Sequence, residues 1–279
     1  MNQTFNFPRF WMLVTRHWAE NRRRYLLSLL AIAGLLLAWN GFQFMMDKAS
    51  PLHIGHQFVT YLVGLFLTGC IYASTIFSPL GNKKEATQYL SVPASQLEKF
   101  LCAVFYAVVL FFIFYTIVFY LVDIPMVKLS RSFIGYSYTT INGNPIGDDT
   151  GIINVFSNEG SFAEGSDTPV FLLAFFAFQS AFILGSIYFT RYAFVKTVVA
   201  LLLFAGISIF YITKVVATHL PASWHLNGLL EWGGYSRAGE ALSITLAPWM
   251  QETFAFLVRY CIPFIFYYIA YTRLKEKEV

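Results

Sequence analysis

Residues 22–46 read RRRYLLSLLAIAGLLLAWNGFQFMM: three arginines, then a run from Tyr25 to Met46 with no charge. As a helix rising about 1.5 Å per residue, that run is long enough to cross a hydrocarbon core of roughly 30 Å. A cleavable signal has an apolar stretch of roughly 7–15 residues closed by small side chains. Here Trp39, Asn40 and Phe42 occupy the far end, so the run reads as a permanent membrane anchor. Arg22-Arg23 before apolar residues superficially suggests a twin-arginine signal, but five more apolar runs follow. They are Phe58 to Ser78, Phe100 to Val122, Val170 to Thr190, Thr197 to Val215 and Thr253 to Tyr271. In lipid every backbone polar group needs a partner within its own segment, and none of the runs alternates like a barrel strand, so all are expected to be helices.

Composition agrees. The 279 residues are 57% hydrophobic and 12% charged, with 30 Phe and 17 Tyr, and mean hydropathy is +0.57. Soluble domains carry about 25% charge. An ordinary cytosolic enzyme, a disordered chain and a collagen-like chain are excluded, and little length remains for a large soluble domain. Cys70, Cys102 and Cys261 lie within apolar runs without metal or redox spacing and read as buried thiols.

Basic residues set the orientation. Arg9, Arg16, Arg22, Arg23 and Arg24 precede the first run; Lys83, Lys84 and Lys99 follow the second; Arg191 and Lys196 follow the fourth; Arg273, Lys275 and Lys277 follow the sixth. The longer alternate loops carry only Lys48, Lys128, Arg131, Lys214 and Arg237, and one of them gathers Asp148, Asp149, Glu159, Glu164 and Asp167. Six spans with both termini cytoplasmic are expected.

The segments between the runs are patterned too. Phe7, Phe10, Trp11, Val14 and Trp18 share one helical face, and Pro8 suits a first turn. Residues 1–24 are therefore expected to be a cytoplasmic, amphipathic interfacial helix, ahead of a transmembrane domain over 25–279. It is either a simple anchor or a lever driven by a cytoplasmic partner. In the loop Gly81–Lys99, Lys83 to Leu90 suits a short helix, Val92-Pro93 breaks it, and Ser95-Gln96-Leu97-Glu98 is a capping box starting the next helix at Gln96. The external loop 123–169 is read as solvated, with a hairpin-like turn at Asn142–Pro145; Asp148-Asp149 lacks calcium-loop spacing. Residues 216–252 are too apolar for a loop and too broken by Gly and Pro to span. Two short re-entrant helices are expected there, capped by Ser223 and Ser236 and ended by Gly233-Gly234 and Pro248. Small residues line the first run (Ala31, Gly34, Ala38, Gly41) and the fourth (Ala174, Ala177, Ala181, Gly185), allowing close helix approach within the chain or between copies.

No phosphate-binding GxxxxGK[ST], zinc HExxH or nucleophile-elbow GxSxG motif occurs. His219 and His225 read as ordinary interfacial histidines. Arg259, inside the sixth run, either snorkels to the outer boundary or acts in gating. No catalytic constellation, cofactor site or metal site is expected in this chain, and no nucleic-acid partner.

The order of parts, together with Tyr89-Leu90-Ser91-Val92-Pro93-Ala94-Ser95-Gln96-Leu97-Glu98-Lys99-Phe100, resembles the permease subunits of ABC-2 type ABC transporters. The segment is similar to the "LPAS…EKF" stretch of bacterial members, those of Bacteroidetes type in particular. The resemblance implies an all-α polytopic protein of the bacterial inner membrane, paired as a homodimer or close heterodimer within the bilayer. It implies two separate ABC-class ATPase subunits that bind the ATP and Mg, and an exporter whose substrate meets an aromatic-rich dimer interface. Lys83–Leu90 would be the coupling helix, with Lys84, Glu85, Gln88, Tyr89 and Leu90 at the ATPase and Ser95 and Glu98 capping the loop. Residues 4–23 would be the connecting helix. The long external loop exceeds a minimal member. The alternatives are a non-transporting anchor or assembly subunit of a motility or secretion machine, and an intramembrane enzyme. Single-cysteine labelling tests the topology: Ser157→Cys should react from outside the cell and Thr87→Cys only after permeabilisation, and the reverse pattern would overturn the orientation.

Overall fold

The computed structural model describes residues 5–46, 52, 54–134, 140–141, 144–145, 151–156, 168–211, 214, 225–226, 231–235, 241–245 and 247–277. Among these, five helices are long and apolar enough to cross a membrane. The first, α1, is a single helix from Phe7 to Met46. The expected connecting helix and first span are thus one continuous rod, with no break at residue 24. Good helix formers and the absence of internal Pro let it propagate through the Arg22–Arg24 cluster.

α2 covers Ile54–Thr75, and a 3₁₀ turn over Ser78–Gly81 leads to α3, Lys83–Leu90. α4 (Gln96–Val104) passes through a π turn, Phe105–Leu110, into α5, Phe111–Ile134. This third span is longer than the expected 100–122. α6 (Thr168–Tyr188) and α7 (Ala193–Tyr211) follow. The expected sixth run is helical through α8 (Pro248–Phe256), a π turn at Leu257–Cys261, and α9, Ile262–Glu276.

The segment expected to hold re-entrant helices is different. Its described residues form β3 (His225–Leu226), β4 (Glu231–Tyr235) and β5 (Ala241–Thr245), a three-stranded antiparallel sheet. Gly233-Gly234 lies inside β4, opposite Ser243 and Leu242, and Pro248 begins α8. Aromatic and β-branched residues such as Trp232, Tyr235, Ile244 and Thr245 favour strands, and cross-strand bonds satisfy an apolar backbone as a helix would. The proposed caps Ser223 and Ser236 lie outside the described residues.

In the loop after α5, Thr140 pairs with Pro145 and Ile141 with Asn144 (β1 and β2, Thr140–Ile141 and Asn144–Pro145), a hairpin where one was expected. The loop is not solvated throughout: Ile153 and Val155 are buried beside Phe58, Tyr61 and Phe119. Gln57 clamps them, donating to the Gly151 carbonyl at 2.9 Å and accepting from the Ile153 amide at 3.1 Å.

Two apolar clusters fill the bundle. One, toward the α3 end, joins Phe77, Phe100, Ala107, Ile183, Ile187, Ala270 and Leu274. The other joins Leu36, Tyr61, Leu65, Tyr115, Phe119 and Phe175. The two small-residue stripes behave differently. Gly185 of α6 lies directly against Thr197 of α7, leaving no room for a Cβ, while Gly34 and Gly41 of α1 face open space. Gly185→Leu should therefore lower stability by about 1–3 kcal/mol through overpacking, and Gly34→Leu by under about 0.5 kcal/mol, both read as thermal unfolding of the purified chain. Equal effects would contradict this packing.

Candidate functional site

The capping box predicted at α4 is present. The Glu98 amide donates to Ser95 Oγ at 3.2 Å, and the Ser95 amide donates to Glu98 Oε2 at 2.9 Å. Glu98 does more than close this box. Its side chain is 0% exposed, and it also accepts from the Asn6 amide at 2.8 Å, Arg9 Nε at 2.8 Å and Arg9 Nη2 at 2.7 Å. Asn6 immediately precedes α1, and its carbonyl accepts the first helical bond, from the Phe10 amide. One carboxylate thus serves the N-terminal amides of two helices and pairs with a guanidinium from the first of them.

Arg9 was counted in the sequence only as a topogenic charge; its pairing was missed. The local signal is electrostatic. A cation in the first turn of a helix opposes the macrodipole, so Arg9 calls for a nearby anion. The sequence does not say which one.

α1 continues along α4 and α5 from this point. Val14 packs with Cys102 and Tyr106, and Tyr106 Oη donates to the Val14 carbonyl at 2.8 Å. Phe10 lies edge-on to Phe105 and Trp18 stacks on Phe114. The apolar face expected to lie on the membrane is therefore divided: Val14 and Phe10 turn to the bundle, while Phe7 and Trp11 remain exposed.

α3 stands between this anchor and a second one. Asn82 caps it, accepting from the Lys84 amide at 3.4 Å and donating to Glu85 Oε1 at 3.2 Å. A Cβ on Gly81 would sit 2.8 Å from the Thr190 carbonyl oxygen, so the 3₁₀ turn is seated on the α6–α7 turn. That turn is tight enough to hold Tyr192 at φ 54°. At its other end α3 closes with the Ser91 amide on the Thr87 carbonyl, and Val92-Pro93 leads straight to the Ser95 cap.

The residues proposed for ATPase contact separate by exposure. Lys84, Glu85 and Gln88 are exposed. Tyr89 is half-buried, its ring edge-on to Phe77 at 6.5 Å, with Lys99 Nζ at 6.0 Å; it roots α3 on the bundle. The side chain of Leu90 lies outside the described residues, as does that of Arg259, whose backbone is in the π turn Leu257–Cys261.

The basic segments meet at this same end. Lys277 donates to the Ile187 carbonyl at 2.6 Å, Arg273 lies 5.2 Å over Tyr188, and Phe100 packs on Tyr271. Burial, and then the charge of Arg273, lower the Lys277 ammonium below its ordinary value. The opposite end carries the Gln57 clamp and the Trp39–Thr60 hydrogen bond. Among the described residues no three His, Cys, Asp or Glu side chains come together as metal ligands would.

The site offers a short, exposed, mixed-charge helix fixed at both ends. Comparison with protein-family models, curated proteins and solved structures finds no match for this chain.

Removing one partner of a buried ion pair costs up to about 3–5 kcal/mol. Arg9 is 30% exposed, so water offsets part of that, and Arg9→Ala should destabilise the chain by less than this. Ser95→Ala should cost about 1 kcal/mol. In a double-mutant cycle, Arg9→Met with Glu98→Gln should lose less than the two single changes together, by about 1–2 kcal/mol. Additive losses would show that the pair is not coupled.

Proposed function

We propose that this chain is the membrane-spanning permease subunit of an ATP-driven transporter of the ABC-2 type, acting as an exporter together with a separate ATPase subunit. The observation that carries the reading is α3. It is exposed along Lys84, Glu85 and Gln88, and it is seated at one end by Gly81 and at the other by Ser95, Glu98 and Arg9. A helix so placed moves with its bundle rather than bending, as a part that passes force between two proteins must.

Several features support the same reading. The Lys- and Arg-rich segments converge on the α3 end, which the positive-inside rule places in the cytoplasm, with both termini. The stretch Pro248–Glu276 is helical, and α9 packs against the bundle through Ala270 and Leu274; we take it as the sixth span, giving an even number. The open Gly34–Gly41 side of α1 suits a second copy, or a close relative, within the bilayer. ATP and Mg belong to the ATPase, and the chain itself is taken to do no chemistry. In this scheme nucleotide binding draws the ATPases together, α3 and the N-terminal part of α1 move as one body through Glu98, and the spans reopen on the other side of the membrane.

Pull-down with a candidate ABC-class ATPase from the same cell is the decisive experiment. Glu85→Ala with Gln88→Ala should leave membrane insertion unchanged, cut ATPase recovery about tenfold, and abolish ATP-dependent transport in proteoliposomes. Intact binding and transport would remove α3 as the contact. If no ATPase binds the unaltered chain, the transporter reading fails and an anchoring subunit takes its place.

A further inference from the structure

Beside the coupling surface, α1, α2, α3 and the α4–α5 helix enclose a cavity of about 630 Å³, a size typical of small-molecule sites. Along α1 its lining runs from Leu13 to Ile32, roughly 28 Å of helix, so it is a slot rather than a bowl. Its wall is aromatic. Tyr25 lies 5.7 Å from Tyr106 and 6.0 Å from Tyr72, and Tyr72 stacks on Phe111 at 5.4 Å.

Charge is confined to one end of the slot. On α1 the lining residues Arg16, Glu20 and Arg24 give way to Ser28, Leu29, Ala31 and Ile32. On the α4–α5 helix Lys99 comes first, and only uncharged residues follow from Cys102 to Phe114. The remaining charged group is Glu85 of α3. The carboxylates are already engaged: Glu20 accepts from Arg16 at 2.7 Å and Glu85 from Asn82 at 3.2 Å. Lys99 lines the slot with its Nζ 6.0 Å over the Tyr89 ring and only 4% of the residue exposed, so its charge lies within an apolar wall, where electrostatic attraction is stronger than in water, and the exposed Arg24 adds a second cation at the same end. His17 and Tyr25, hydrogen-bonded at 2.6 Å, add polar groups near the same end.

We propose that the slot binds a single alkyl chain bearing an anionic head group, the head beside Lys99 and Arg24 and the chain along Tyr72 and Phe111 toward Ile32. The site lies within one chain and stands whether or not the transporter reading holds. The head group could belong to a free amphiphile or to a bilayer lipid inserting one chain.

The test uses the full chain in phosphatidylcholine nanodiscs, with empty nanodiscs as the partition blank, titrated calorimetrically with octyl, decyl and dodecyl phosphate. Affinity should rise up to about fourfold per methylene buried. Ala31→Trp, which fills the slot from α1, should weaken dodecyl phosphate at least about tenfold. Lys99→Gln and, separately, the exposed Arg24→Gln should each weaken the phosphate but leave the chain-length trend intact; Arg24→Gln guards against any loss of α3 structure in the Lys99 variant. Competition by phosphatidylglycerol in the disc assigns the bilayer as source, and its absence assigns a free amphiphile; either supports the site. Equal binding of dodecyl phosphocholine would overturn the anionic head. Equal binding of inorganic phosphate, undiminished binding by Ala31→Trp, or no binding above the blank would overturn the proposal.

Discussion

A buried carboxylate near the edge of a membrane bundle costs several kcal/mol in lost hydration, and it persists only where donors replace the water. Glu98 has those donors: the Ser95 amide, the Asn6 amide and the guanidinium of Arg9. Two of the three are amides left without helical partners at a helix start. The negative charge therefore sits at the positive ends of two macrodipoles, those of α1 and α4. The geometry of the whole end follows. α1 and α4 begin at one point and run side by side into the bundle, as Val14 against Tyr106 and Trp18 against Phe114 record. Arg9, which alone would oppose the dipole of its own helix, becomes favourable once Glu98 is beside it.

The same carboxylate closes one of the ends at which α3 is held. A short eight-residue helix is marginal on its own, since nucleation is costly and few bonds repay it. α3 has three supports: the Asn82 cap, the seat of Gly81 on the Thr190 carbonyl, and the rigid exit through Pro93 to Ser95. Tyr89 adds packing against Phe77. Of the exposed side chains only Glu85 takes part, through Asn82; Lys84 and Gln88 face outward from these supports. In the function proposed above, Gln88 would meet the partner without giving stiffness, while Glu85 would do both.

The sequence was read well where the information is local and less well where it depends on a partner far along the chain. The capping box needs only Ser95 and Glu98, three residues apart, and it was legible. So were five of the apolar runs, because a hydrocarbon core demands length and uncharged side chains whatever the neighbours are. Arg9 and Glu98 are eighty-nine positions apart, and nothing local names one to the other. The two small-residue stripes looked alike because a glycine records only that something approaches closely; Thr197 does so at Gly185, while nothing in the chain does so at Gly34. Residues 231–235 and 241–245 differ from the expected helices for another reason. Apolar residues broken by glycine suit either short helices or short strands, and β4 takes Gly233-Gly234 into its interior because its ladder partners, Ser243 and Leu242, come from further along the chain.

The two ends of the bundle are closed by different chemistry, and this bears on which parts can move. At the α3 end the closure is ionic and draws α1, α4 and the base of α3 onto a single carboxylate. At the other end it is neutral: Gln57 holds residues 151–153 through its amide, and Tyr120 Oη both donates to the Ile153 carbonyl and accepts from the Val155 amide. Between them α7 meets α6 closely near its start, at Thr197 against Gly185, and many of its later side chains are exposed and apolar. α1, α4 and α5 cannot move past one another at the α3 end without separating Glu98 from its donors. Within one chain, drawing α1 away from α4 therefore requires breaking the Arg9–Glu98 pair and the Asn6 amide bond together, because both meet on one buried carboxylate.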